Sequence, residues 1–164
     1  MTVTGPGAPT LGGFQAFITN VMGVPPVAYN AADPVIGYSF DFALDWVTQE
    51  LALVGSQPSA YTMYARAVYN LAADTLINWS QDPTDAPAFK DELPYWAWLR
   101  KQYGVLNFTA GVVQATSDES TSTTLLVPEA FKNLTIANLG NLKTPYGRAY
   151  LGIAQSLGTL WGLS

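Results

Sequence analysis

Residues 33–55 read DPVIGYSFDFALDWVTQELALVG, and this stretch decides the fold class. Asp33 carries the short acceptor side chain favoured at a helix N-cap, and Pro34 suits the first helical position. Ile36, Phe40, Ala43, Leu44, Val47, Leu51 and Val54 follow at helical spacing and form one apolar stripe. Gly55 fits the left-handed residue that closes a helix. Asp41, Asp45 and Gln49 share another face. Paired carboxylates at i, i+4 can bind metal or exchange protons, but no histidine accompanies these, so a solvated face is expected.

A second long helix is expected over residues 58–81, in SQPSAYTMYARAVYNLAADTLINWSQD. Tyr64, Ala67, Val68, Leu71, Thr75 and Trp79 line one broad side. Tyr61, Ala65, Tyr69, Ala72 and Leu76 cover much of the rest. A helix apolar around most of its girth sits centrally in a bundle or in an oligomer contact. Arg66, Asn70 and Asp74 are expected to form its narrow polar strip.

Shorter elements flank this pair. Phe14, Phe17, Ile18 and Val21 predict a helix in FQAFITNVMG, ended by Gly23 and Pro25. Residues 1–13, rich in Gly, Pro and Thr, are expected to be a flexible arm, leaving 14–164 as a single helical domain. Pro94 is expected at the first position of a short helix ending before Gly104. Tyr95, Trp96 and Trp98 cluster in it as core anchors or interface aromatics. Val112–Thr116 and Thr121–Val127 are β-prone, so 111–127 is expected as a hairpin or an extended exposed arm. Thr144 and Pro145 cap a last helix, with Tyr150, Leu151, Ala154 and Leu157 at helical spacing. The fold expected is mainly α: a small helical bundle with that hairpin or arm and a C-terminal helix plus tail.

Composition limits the function. Of 164 residues only 12% are charged, about half the usual share, while 49% are hydrophobic. Surface not covered by charge is neutral or apolar, and large apolar patches mark contacts. The expectation is extensive interfaces in a homo-oligomer. Net charge is −5 and the seven basic residues are scattered, which argues against a nucleic-acid grip. With no cysteine and no histidine, thiol and Ser-His-Asp catalysis and the usual zinc sites are excluded. No phosphate-binding glycine loop occurs. Twelve acids leave a carboxylate pair formally open, but none stands out by context. The expectation is a non-enzyme with no cofactor and no metal. MTVTGPGAPTLGG lacks the pattern of a secretory signal, and no apolar run is long enough to span a membrane.

YARAVYNLAADTLINW, the Ser/Thr-rich segment and TPYGRAYLGIAQ occur in an order that resembles small tailed-bacteriophage neck proteins of the head–tail connector, or adaptor, group. The resembling parts are residues 64–79, 116–128 and 144–155. The resemblance implies a virion structural protein in the neck, made in the host cytoplasm. It implies a ring, commonly dodecameric, between the portal protein and the next neck or tail protein, with DNA passing through unbound. It also implies a C-terminal docking segment, 144–164. Tyr150, Leu151, Leu157, Leu160, Trp161 and Leu163 are then expected to bind the portal or a neighbouring subunit, each Leu-sized anchor worth roughly 1.5–3 kcal/mol before ordering costs. Asp118 and Glu119 are expected at the lumen or an adjoining ring, where few cations would hold the phosphates. Two alternatives remain: another neck or tail component (terminator or stopper), or a carbohydrate-binding virion protein using Trp96 and Trp98.

Overall fold

The computed structural model describes residues 8–51, 61–107, 115–118, 121–124 and 140–156. Five α-helices lie among them: α1 (Leu11–Asn20), α2 (Pro34–Leu51), α3 (Tyr61–Trp79), α4 (Tyr95–Gln102) and α5 (Pro145–Ser156). They pack as a compact, mainly helical bundle. Helix α3 is its axis and touches each of the other four, most extensively α2 and α5. Its near-continuous apolar girth explains that position: Tyr64, Ala67, Val68, Leu71, Ala72, Ala73, Leu76 and Ile77 are all buried.

Each helix starts where the local chemistry permits. Helix α1 begins earlier than the arm expectation allowed, because Thr10 caps it. The Thr10 hydroxyl accepts from the Gly13 N–H at 3.0 Å, and its own N–H donates to the Tyr69 hydroxyl at 3.2 Å. Leu11, Gly12 and Gly13 are therefore helical, and the boundary expected at residue 14 moves back to Thr10. Gly13 is small for a reason: a methyl group there would overlap the Tyr69 hydroxyl. At α2, the Asp33 carboxylate accepts from the Val35 N–H at 2.9 Å, as an N-cap should. Ile36, Phe40, Ala43 and Val47 of the expected stripe are buried, while Asp41 and Asp45 face solvent. Gly55 and Val54 lie outside the described residues.

Helix α4 lacks a cap of its own, because Pro94 at its N-cap has no side-chain acceptor. Asp82 fills that role from 14 and 15 residues away, accepting from the N–H groups of Trp96 at 3.0 Å and Ala97 at 2.8 Å. Arg100, 3.8 Å from Asp82, donates to the carbonyls of Ser80 at 2.5 Å and Ile77 at 3.2 Å. Asp82 thus caps the start of α4 and pairs with Arg100 in its last turn, while Arg100 also holds the end of α3. Gly104, at φ +65°, follows the Tyr103 C-cap and takes the left-handed conformation that ends the helix.

Between α3 and α4 the chain reverses tightly at Lys90–Leu93. Asp91 and Glu92 both have positive φ, 52° and 60°, which side-chain-bearing residues rarely adopt. Elsewhere, Ala115–Asp118 pairs antiparallel with Thr121–Thr124 in the register Ala115↔Thr124 to Asp118↔Thr121. The rest of 111–127 lies outside the described residues.

Candidate functional site

Helix α5 carries two of the residues expected to meet a partner, and both belong to the chain's own core. Tyr150 is 0% and Leu151 4% exposed. This corrects the docking expectation for them: the same spacing that suggested a binding stripe packs α5 on α3. Leu157, Leu160, Trp161 and Leu163 lie outside the described residues. Of Asp118 the backbone is described, at the end of its strand opposite Thr121, and Glu119 lies outside.

The aromatic trio of α4 also resolves toward the core. Tyr95 and Trp96 are buried and Trp98 is half-buried against them. Phe89 packs edge-on to Tyr95 and Trp98, and the Lys90 ammonium sits 4.9 Å from the Trp98 ring centroid. Burial, with Tyr103 adding to it, pushes the Tyr95 hydroxyl up to about 12. Trp96 is thus buried and Trp98 closely attended, which leaves little open ring face for a sugar.

Asp74 is the largest departure from the sequence reading. It was expected on the polar strip of α3, yet it is only 4% exposed. The Thr144 hydroxyl donates to its Oδ1 at 2.5 Å and accepts from the Gly147 N–H at 3.0 Å, which is the N-cap bond of α5. One hydroxyl therefore caps α5 and docks it on α3. A methyl group on Gly147 would overlap the Asn141 carbonyl and stand 2.8 Å from Asp74 Oδ1, so glycine is needed for this approach. Thr144 and Gly147 of TPYG thus serve to pack α5 on α3. Burial pushes the Asp74 carboxyl up to about 6, partly offset by the Thr144 hydroxyl and by Lys143.

Several recesses adjoin these groups, among them an open one of about 380 Å³ between Asn78, Asp82 and Arg100, and two more bear on function. One of about 510 Å³ lies beneath the 81–89 loop, with Tyr29, Asp33, Asp85, Phe89 and Trp96 in its wall. Its carboxylate Asp82 is held by α4 and Arg100, and Asp33 caps α2, so both are committed to structure. The other, about 210 Å³, lies between Phe42, Asn78 and Trp79 on one side and Asn141 and Lys143 on the other. Among the described residues no group of three or more His, Cys, Asp or Glu side chains is placed to hold a metal ion. None of the helices described is long and apolar enough to cross a membrane.

Beside the smaller recess is the feature that sequence reasoning missed. Tyr38, Phe42 and Trp46 recur every fourth residue on α2, forming a second apolar stripe beside the buried one. Trp79 joins them from the end of α3. Phe42 lies 5.9 Å from Trp46 and 5.6 Å from Trp79 between ring centroids. These rings are open to solvent: Tyr38 65%, Phe42 40%, Trp46 37% and Trp79 48% exposed. The signal was present as i, i+4, i+8 aromatics, but the richer stripe next to it drew the reading. Such an array has no nucleophile or base to offer and fits contact with another apolar surface. Compared with known proteins, the chain matches no family model, no curated protein and no solved structure.

Proposed function

We propose that this chain is a virion structural protein, a head–tail connector whose copies form a ring between a portal protein and the next neck or tail component. The observation that carries the reading is the open aromatic face of Tyr38, Phe42, Trp46 and Trp79 on a chain with so little charge. Together the four residues expose on the order of 400 Å² of mostly apolar surface, comparable to the largest patch on a typical monomer, which is often functional. The mainly helical bundle fits the connector better than a terminator built on a β-barrel. The carbohydrate alternative loses support, because Trp96 is buried and Trp98 is packed by Phe89 and Lys90.

In this reading the paired strands around Asp118 and Glu119 form an arm toward the lumen or an adjoining ring. DNA passes a wall poor in cations without being held. Native mass spectrometry of the protein, alone and mixed with the portal protein of the same genome, tests the proposal. A ring, alone or on the portal, is expected. A single chain under both conditions overturns it.

A further inference from the structure

We infer that the aromatic face of α2 and α3 receives the apolar segment 157–163 of a second copy, so that successive subunits are joined head to tail. The contact rests on the ring-forming reading and gives it a specific joint. Three observations lead to it. First, Phe42, Trp46 and Trp79 are exposed in the single chain, with Phe42 stacked on Trp46 and tilted against Trp79, so a ligand for this face meets rings that already brace one another. Second, the area decides between occupants. A stable face-to-face dimer needs about 800 Å² from each partner, and this face offers roughly half of that. A short linear segment with three or four large anchors matches it.

Third, the chain supplies such a segment. LGTLWGL, residues 157–163, has four large apolar side chains and no charge. It follows α5 directly, and the inward face of α5 is already filled by Tyr150, Leu151 and Ala154. Helix α5 starts beside Trp79, where Asn141 and Lys143 meet it across the smaller recess. From there it runs along α3 for about 18 Å, the length of its 12 residues, and ends at the exposed Gln155 and Ser156. The last turn of α5, after which the segment follows in sequence, thus lies about 18 Å from the end of the helix that meets Trp79. One face receiving and one segment given per subunit is a heterologous contact, which closes into a ring when the rotation permits.

The test uses the full chain with Trp161→p-benzoylphenylalanine, mixed as isotopically light and heavy copies, photolysed and digested. Mixed-label cross-links from position 161 into peptides carrying Phe42, Trp46 or Trp79 are expected. Phe42→Ser, at an exposed site that leaves the core intact, should cut their yield at least fivefold and raise the assembly dissociation constant at least tenfold. Leu160→Ser, in the donating segment, should do the same. Same-label links to the face overturn the second copy as occupant, and links elsewhere overturn the face as receptor. Native mass spectrometry of the same samples separates the two readings. A ring without links to the face leaves the connector standing and removes this joint. Mixed-label links without any closed ring or portal binding support the joint and remove the connector.

Discussion

Asp74 carries two consequences at the scale of single residues. Its carboxyl is held at about 6 in the folded chain, against 3.8 when solvated, chiefly by burial. The folded state thus binds this proton more tightly than the unfolded chain does. The group favours folding fully below pH 3.8, and that contribution is lost as pH rises through 6. A shift of about 2 pH units corresponds to roughly 3 kcal/mol between the two ends of that window. Asp74→Asn keeps an acceptor for the Thr144 hydroxyl and removes the charge. It should be more stable than the parent at pH 7.5 by about 1–3 kcal/mol, with the difference vanishing by pH 4. Urea unfolding at the two pH values measures this, and a less stable variant at pH 7.5 would refute the account. Gly147 fails in the opposite direction. Gly147→Ala pushes a methyl group into the Asn141 carbonyl and toward Asp74, and should cost about 1–3 kcal/mol at any pH. Ser39 is a third case. Its hydroxyl is buried in α2 without a hydrogen-bond partner, so Ser39→Ala should raise the thermal midpoint by removing an unsatisfied group worth about 1 kcal/mol.

Among elements, the turn before α4 holds a cost that can be released. Asp91 and Glu92 adopt left-handed backbone angles that suit glycine or asparagine. Glu92→Gly removes a Cβ from such a position and should stabilise the chain by about 1 kcal/mol, seen as a higher denaturation midpoint with an unchanged slope. The caps show why some elements were legible in the sequence. Asp33-Pro34 and Thr144-Pro145 carry their signals within a few residues of the helix they start, and both helices start there. Thr10 lies before two glycines that weaken the local helical pattern, and the approach of Gly13 to Tyr69 accounts for the second of them. Asp82 was beyond any local reading, since it caps a helix 14 residues away. Asp74 was read as a surface residue because three polar residues at i, i+4, i+8 imply a wet strip. Its partner Thr144 lies 70 residues further on, so only the packed fold brings them together. Tyr150 and Leu151 show the same ambiguity from the other side. Periodicity identifies an apolar stripe, but the remainder of the chain decides whether that stripe meets its own core or a partner.

For the whole molecule, the low charge that first suggested interfaces sets how they should respond to solution conditions. Among the described residues the ion pairs Arg100–Asp82 and Lys101–Asp91 tie the connection between α3 and α4 to α4, and neither involves the open aromatic face. Asp41 and Asp45 are the nearest charges along α2, and both lie in water. Lys143 lines the recess beside Phe42 and Trp79, but segment 157–163 has no charged side chain to pair with it, so the contact gains nothing from Coulomb attraction that salt would remove. Its strength comes from the area withdrawn from water, and that term weakens on cooling. Assembly of the full chain should therefore change less than about threefold in apparent dissociation constant between low and physiological salt. It should strengthen in sulfate and loosen toward 4 °C, the low end of a cooling series in which hydrophobic association fades. Calorimetry of the dilution should give a negative heat-capacity change on association, the marker of apolar burial. Sedimentation across a salt series is the decisive reading, because a contact held by charge would weaken tenfold or more over the same range while a contact held by Phe42, Trp46 and Trp79 would not.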